Sequence, residues 1–481
     1  MIEAIIYGNH WKIPRAWADE ELIEADLTFV DANAVKQAEL NPPRKGEKPV
    51  DPNVCVAYIE TVNGKDYVFL PRGVEVSRYL RKGITPRFDV EGWGNEEVLE
   101  DWPTPQREMR SHQAEPFQAL VDWEDPDQLL CLGCGRGKTT LALLYAARLK
   151  LKTLVVVDRD AILDQWKREI GAIFGEETAK ATGTVQGKKD TIGEHLTVAM
   201  VQTLAARNRD GQLTDEWCSQ FGLVIFDEAH VLGAPGFSLV PPRFPARRLA
   251  LTATPERLDD LHPVYMLHTG GMQPSYVNID RHQSSTWYFR SIGNILANGV
   301  EERCYRTVKA YGGRPARKML LRPRYDTFAS KSPIWNERIL KDVLSATKAG
   351  RQVFVLGCRT GQLSFLHEEL LKQGVDAGLI IGNVTKKERL EALKHQVLLV
   401  TDKIGYKALD VERLDCLFLL WPSKDEGFLR QAVGRIERVV EGKAAPIVVV
   451  YNHNATSSLR RMGEAMKLAI RNIDPNATLN Y

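Results

Sequence analysis

Two adjacent carboxylates, Asp227 and Glu228, follow the apolar run Leu223-Val224-Ile225-Phe226 and precede Ala229-His230. The run predicts a buried parallel strand, and open α/β sheets collect ligand chemistry at the C-terminal ends of such strands. There Asp227 is placed to hold Mg²⁺ through water, and Glu228 to take a proton from an attacking water. Asp-Glu-Ala-His alone is a weak signal. Its force comes from what precedes and follows it.

Upstream, Leu129 to Leu132 predicts a strand, then Gly133-Cys134-Gly135-Arg136-Gly137-Lys138-Thr139-Thr140 leads into a helix. Glycines let backbone N–H groups turn toward a phosphate, and the helix N-terminus favours the anion. Lys138 can reach the β- and γ-phosphates and the Thr139 hydroxyl can ligate Mg²⁺. Leu132 stands where the usual pattern has its first Gly or Ala, leaving the Gly-Lys-Thr core intact. The bland alternative is a glycine-rich turn that binds nothing, and the acidic pair downstream argues against it. Downstream, Gln431-Ala432-Val433-Gly434-Arg435-Ile436-Glu437-Arg438 reads as a helix with Gln431, Arg435 and Arg438 on one face and Ala432, Val433 and Ile436 on the other. Guanidinium groups so placed can offset charge as a γ-phosphate departs, in the manner of arginine fingers. A solvated basic face is the alternative.

The elements that must position these residues form two βαβ series. From Gln106 to about Gly270, strands are expected at Leu154–Val157, Leu196–Met200, Leu223–Phe226 and Arg248–Leu251, with helices at Leu141–Leu149 and Ala161–Phe174. A second series from about Asn336 has strands at Val353–Leu356, Ala377–Ile381, Val397–Val400, Cys416–Leu420 and Ile447–Tyr451. Alternation of this kind implies parallel sheets covered by helices on both faces. The first hundred residues differ: Val54–Tyr58 and Tyr67–Leu70 are strand-like and flank Asn63-Gly64, a hairpin signal. The expected fold is therefore α/β, with two parallel-sheet domains and a small β-rich N-terminal accessory domain. The boundaries read as 1–103, 104–272, a basic linker or insertion at 273–332, and 333–481.

The chain has 481 residues, 44% hydrophobic and 26% charged, as in ordinary soluble globular proteins. A net charge of +2 supplies no global attraction for nucleic acid, so any basic surface is local. Seven cysteines scattered through apolar runs favour free thiols in a reducing compartment. Cys131-x-x-Cys134 lies inside the phosphate loop without a second such pair, which argues against zinc or redox roles. No apolar run approaches the ~20 residues needed to cross a bilayer, and no signal peptide opens the chain. A cytoplasmic location, bacterial or in a phage-infected cell, is expected. Two basic stretches carry interleaved aromatics: Arg72, Arg78, Arg81, Lys82 and Arg87 with Tyr79, Phe88 and Trp93; and Arg303, Arg306, Lys309, Arg314, Arg317, Lys318, Arg322 and Arg324 with Tyr305 and Tyr311. Such mixtures suit a nucleic-acid strand, and equally a solvated surface.

From Gln106 onward the chain resembles a superfamily 2 helicase or translocase with tandem RecA-like domains. Arg110-Ser111-His112-Gln113 resembles the motif that reads adenine, Gly137-Lys138-Thr139 motif I, Asp158 to Trp166 motif Ia, and Gln202-Thr203-Leu204 the next motif on the nucleic-acid path. Asp227 to His230 resembles motif II, Thr252-Ala253-Thr254-Pro255 motif III, Thr401 to Asp410 motif V and Gln431 to Arg438 motif VI. Leu251 to Asp260, Gly382 to Arg389 and Lys403-Ile404-Gly405 are similar to the branch that contains XPB-like and UvsW-like helicases. Ala408 replaces a glycine common before the motif V aspartate.

The resemblance implies ATP and Mg²⁺ as cofactors, held between the two RecA-like domains. It assigns Gln113, Gly133, Gly135, Arg136, Gly137, Lys138, Thr139 and Thr140 to ATP; Thr139 and Asp227 to the metal; and Glu228, Asp227, Arg435, Arg438, Gln431 and Lys138 to catalysis. His230, Thr252, Thr254 and Asp410 couple hydrolysis to movement, and Arg159, Gln202, Thr203, Arg359, Thr385, Thr401 and Lys403 contact nucleic acid. The implied partner is DNA, branched or duplex, remodelled by a monomer through fork regression, branch migration or R-loop unwinding. An RNA helicase, a duplex translocase subunit without strand separation and a nonhydrolysing scaffold are the rival readings. The intact Lys138, Glu228 and Arg435 argue against the last.

Overall fold

The computed structural model describes residues 4–40, 51–90, 94–133, 135–257, 259–269, 272–278, 285–293, 303–308, 317–382, 384–402, 411–438, 442–454 and 457–480. The chain divides into two compact units, Met1–Ile279 and Asp280–Tyr481.

The first unit is built on an eight-stranded sheet. Its order is Lys189–Thr191, Gly183–Gln186, Leu196–Met200, Thr153–Val157, Leu223–Phe226, Arg247–Thr252, Asp127–Leu132 and Tyr276–Asn278. All pairings are parallel except the hairpin of the first two. Central strands such as Leu223–Phe226 and Thr153–Val157 are buried at every position, which is why they read as continuous apolar runs rather than alternating ones. The expected strands and both expected helices lie within a few residues of their observed limits, Lys138–Leu149 and Asp160–Phe174 for the helices.

The N-terminal region is a separate five-stranded sheet, ordered Tyr58–Val62, Lys65–Leu70, Trp11–Pro14, Ile5–Tyr7 and Phe88–Val90. The Asn63-Gly64 hairpin is present, with both residues at positive φ (52° and 77°), the combination this tight turn requires. The expected single strand at Val54–Tyr58 is two, Asn53–Cys55 and Tyr58–Val62, paired in different sheets.

Residue 103 marks a change of sheet, not a break between compact units. Ile5, Ile13, Val68 and Leu70 share a core with Leu261, Val264 and Leu267 of the His262–Thr269 helix. Beneath them Arg72, 4% exposed, donates to Asp127 Oδ1 (2.7 Å), Ala246 O (2.9 Å) and Gly8 O (2.7 Å). Arg248 donates to His268 O (2.8 Å) and to Asn9 O (3.1 Å). Burial holds the neighbouring His268 down at about 3 and His10 well below its usual value, so both imidazoles are neutral in this wall of cations. Arg72 is thus a structural ion-pair partner, which removes it from the expected DNA-contacting stretch. Arg78, on Asp26 at 2.6 Å, and Arg81, on Ala18 O at 2.9 Å, are likewise engaged within the protein.

The second unit holds a seven-stranded, wholly parallel sheet, ordered Ala377–Ile380, Val397–Thr401, Val353–Gly357, Cys416–Leu419, Ile447–His453, Thr286–Ile292 and Thr478–Asn480. Here the expected linker at 273–332 needs correction. Tyr276–Asn278 belongs to the first sheet, and Thr286–Ile292 pairs residue for residue with Ile447–His453. The error has a physical source: the strand Thr-Trp-Tyr-Phe-Arg-Ser-Ile alternates buried and half-exposed positions at the sheet's flank, unlike the solidly apolar central strands.

Replacing Arg72 by Ala leaves Asp127 buried and without its shortest charge partner. The expected loss is about 3–5 kcal/mol, read as a lowered denaturant midpoint for the first unit.

Candidate nucleotide and nucleic-acid site

The phosphate loop joins the Asp127–Leu132 strand to the Lys138–Leu149 helix. Gly135 and Gly137 have φ of 77° and 82°, a region L side chains avoid. At Gly137 a Cβ would lie 2.1 Å from Gln113 Nε2, so the glycine also makes room for the side chain that covers the loop. Gln113 is buried, and its Oε1 accepts from the Arg110 N–H at 2.9 Å. Lys138 Nζ donates to Leu132 O (2.9 Å) and Gly133 O (3.4 Å), so its charge sits over the loop. Thr140 is buried at the helix start, with Thr139 and Arg136 beside it partly exposed. Cys134 lies outside the described residues. Burial pushes the Cys131 thiol up to about 12, which suits a core residue and not a redox thiol.

The acidic pair ends the Leu223–Phe226 strand. Asp227 accepts from Trp166 Nε1 (2.8 Å) through Oδ2 and from the Glu228 N–H (2.9 Å) through Oδ1. Burial, then the neighbouring Glu228 charge, raises its pKa to about 6, against the pull of the Trp166 bond and of Lys138. A half-buried carboxylate whose charged form is disfavoured by desolvation and by a neighbouring carboxylate fits a cation ligand. Among the described residues no group of three or more His, Cys, Asp or Glu could hold a metal ion. Asp227 and the Thr139 hydroxyl are the groups that would hold a divalent cation here. Glu228 has φ 47° and ψ 48°, a left-handed conformation that costs a non-glycine residue about 1–2 kcal/mol. The Asp227 side chain accepting the Glu228 N–H holds it there. Strain of this kind is commonly kept at reactive positions.

From Glu228 a polar chain leads away. His230 Nδ1 lies 3.3 Å from Glu228 Oε2 and 3.3 Å from Thr252 Oγ1. Thr252 Oγ1 donates to Thr254 O and accepts from the Thr254 N–H, both at 3.1 Å. Arg257 donates to His230 O and grips Asp259. Three of the four residues read as coupling groups are thus in one hydrogen-bonded line. The fourth, Asp410, lies outside the described residues, as does Lys403.

Arg159, Gln202 and Thr203 gather at neighbouring strand ends. Arg159 is the N-cap residue of the Asp160–Phe174 helix, with Nε 3.3 Å from Asp158 Oδ2. Gln202 Nε2 donates to Asp158 O (2.8 Å), and Thr203 Oγ1 accepts from the Gly187 N–H (2.9 Å).

In the second unit the reading of motif VI as one helical face is corrected. The Glu426–Gly434 helix, capped by Asp425, stops at Gly434. Ile436 and Glu437 both turn their N–H groups onto Val433 O (2.9 and 3.2 Å), and buried Glu437 accepts from Ser285 Oγ. Gln431 is only 3% exposed, while Arg435 follows the helix end and Arg438 lies beyond it, both partly exposed. Ala432, Val433 and Ile436 are fully buried, as expected. Arg359 caps the Thr360–Lys372 helix and donates to Pro323 O (2.6 Å). Thr401 ends the Val397–Thr401 strand. Thr385 is the N-cap of the Lys386–Ala392 helix, bonded reciprocally to Glu388, so its hydroxyl serves the fold. In the second basic stretch Arg322 packs over Trp421 (5.1 Å to the ring centre) and pairs with Asp326, while Lys309, Arg314 and Tyr311 lie outside the described residues.

Trp166 is the residue that motif reading passed over. It closed the motif Ia segment without a role, yet its bond to Asp227 spans 61 residues of chain. Its signal in sequence, a large polar-tipped aromatic on the buried face of an amphipathic helix, is shared by ordinary core tryptophans.

Residues 106–257 match the family described as type III restriction enzyme, res subunit. The chain is 27% identical over 399 residues to the putative ATP-dependent RNA helicase L396 of Acanthamoeba polyphaga mimivirus, covering 79% of this chain and 72% of that protein. It is 32% identical over 180 residues to the DNA 3'-5' translocase XPB2 of Sulfurisphaera tokodaii, covering 36% and 38%. It is 25% identical over 374 residues to the probable helicase D10 of Escherichia phage T5, covering 76% of each. In fold it is similar to Mycobacterium smegmatis helicase Lhr bound to ssDNA and AMP-PNP, with a TM-score of 0.53 at 17% identity, over 76% of this chain and 48% of that one.

Asp227 also sets a pH signature. Its folded pKa is raised above the unfolded value, so the folded state gains from protonation at low pH and loses that gain as pH rises through about 6. Without divalent cations, Asp227→Asn should be more stable than wild type at pH 7.5 and no more stable below pH ~4, as read by denaturation in EDTA. Equal stability at pH 7.5 would remove the case for a destabilised charge at Asp227.

Proposed function

We propose that the chain is a superfamily 2 helicase or translocase of the XPB-like side, that it works as a nucleic-acid-dependent ATPase, and that it remodels DNA, with branched or duplex forms as its substrates. The observation that carries the reading is the Asp227 carboxylate, held by Trp166 and the Glu228 N–H, with His230 lying between Glu228 and the Thr252–Thr254 pair. It supports a site that senses a nucleotide and passes its state along the sheet.

In this reading Gln113 faces the adenine, and the loop from Gly133 to Thr140 with Lys138 binds the phosphates. Thr139 and Asp227 hold Mg²⁺, which supplies charge neutralisation at the phosphate oxygens. Glu228 accepts the proton of the attacking water. Arg435 and Arg438 stabilise charge on the departing phosphate, a contribution on the order of 10³–10⁵ in rate for such arginines. Arg159, Gln202, Thr203, Arg359 and Thr401 track phosphates, which position a strand without reading its sequence. Fork regression, branch migration and R-loop unwinding, as in UvsW-like helicases, are the activities proposed, with the N-terminal sheet contributing selectivity for structure. The similarity to a protein named as an RNA helicase keeps RNA as the second reading.

Lys138→Ala and Glu228→Gln should each lower nucleic-acid-stimulated ATP hydrolysis by about 100-fold or more, with nucleotide binding kept in Glu228→Gln. Normal turnover in Glu228→Gln would refute the general-base role. A steady-state ATPase titration against four-way junctions, forks, duplex, single-stranded DNA and RNA tests the substrate. The strongest stimulation is expected from branched DNA, and stimulation by RNA alone would overturn the DNA reading. Triplex displacement without duplex unwinding would assign translocation instead of strand separation.

A further inference from the structure

The Asp160–Phe174 helix touches both ends of the chemistry in the first unit. Its N-cap is Arg159, in the segment read as facing nucleic acid. That end is tied to its surroundings: Gln202 Nε2 donates to Asp158 O (2.8 Å) and Gln186 Nε2 to Asp160 Oδ1 (2.7 Å). Seven residues on, about 10 Å along the axis, Trp166 is fully buried and donates its indole N–H to Asp227 Oδ2 at 2.8 Å. Positions seven apart share a helix face. The helix is held stiffly, because Ile162 and Leu163 between them, and Ile170, Ile173 and Phe174 beyond Trp166, are all buried in the core with Val155, Val157 and Ile225 of the strands that end at the site.

Resting on the reading of Arg159 and Gln202 as nucleic-acid contacts, we propose that Trp166 is a positioning residue that couples nucleic-acid engagement to the metal-holding carboxylate. Strand phosphates pulling on the Arg159 end move the helix as a rod, and the indole N–H carries that displacement to Asp227 Oδ2. The Oδ1 side of the same carboxylate accepts the Glu228 N–H, so Asp227 and the backbone that aims Glu228 shift together. A buried indole N–H ordinarily finds an acceptor, and here that acceptor is the carboxylate at the site itself, a bond phenylalanine could not make. Hydrogen bonds to charged groups are the stronger class.

The test compares wild type, Trp166→Phe and a full-length chain with β-(3-benzothienyl)alanine at 166. The latter keeps the bicyclic shape and replaces the N–H by sulfur, so it separates the hydrogen bond from packing even if the Phe variant folds poorly. Basal and DNA-saturated ATPase rates, the Mg²⁺ concentration for half-maximal rate and DNA affinity are measured for each. Loss of the N–H should lower the ratio of stimulated to basal rate by about 10-fold to 100-fold. It should raise the half-maximal Mg²⁺ concentration several-fold and leave DNA affinity within about 2-fold. An unchanged stimulation ratio in the benzothienyl chain overturns the coupling role while leaving the functional reading in place. A parallel fall of basal and stimulated rates with unaltered Mg²⁺ dependence also overturns it, as the mark of a packing residue. A wild-type chain that no nucleic acid stimulates overturns the functional reading itself, and this inference with it.

Discussion

The half-buried carboxylate of Asp227 is the constraint around which the first unit is organised. Desolvation and the neighbouring Glu228 charge both disfavour its ionised form. Two donors, one indole and one backbone N–H, keep it oriented. Each has a second consequence. The indole ties the carboxylate to the helix that begins after Arg159, and the backbone N–H holds Glu228 in a conformation it would not otherwise adopt.

This arrangement explains why the site sits on rigid elements instead of loops. The strands carrying the phosphate loop, the acidic pair and Thr252 are all wholly or almost wholly buried and mutually paired in parallel register or through shared neighbours. Small movements at their ends are transmitted, because a close-packed sheet does not deform locally. His230 Nδ1 lies within 3.3 Å of both Glu228 Oε2 and Thr252 Oγ1, Thr252 Oγ1 meets the Thr254 backbone, and Arg257 anchors His230 O.

The N-terminal sheet is joined to the same body by a different interaction. Arg72, Asp127 and Arg248 form a buried charged seam, and the strand bearing Asp127 runs directly into the phosphate loop. Such a seam gives little net stability over a hydrophobic one, but it is costly to break once formed. It fixes the accessory sheet's register against the strand that ends at the nucleotide loop.

Much of this was legible in the residues themselves. Buried parallel strands announce themselves as unbroken apolar runs, so Leu196–Met200 and Leu223–Phe226 were found to the residue. Local chemistry also settled the Asn63-Gly64 turn and the glycines of the phosphate loop, since positive φ is a property of one or two residues. What local pattern could not decide were contacts between distant segments. Arg72 looked like a surface base until Asp127 came beside it, and Thr286–Ile292 looked like linker until Ile447–His453 gave it a neighbour. Motif VI read as a helix through Arg438, whereas the helix is Glu426–Gly434 and Ile436 and Glu437 both fold their N–H groups back onto Val433 O. Trp166 is the sharpest case: its residue type says core, and only the fold, by bringing a strand end against that helix, turned its N–H toward Asp227. Backbone propensity and burial are written in neighbouring residues, whereas a hydrogen bond across 61 positions exists only once the sheet has ordered its strands.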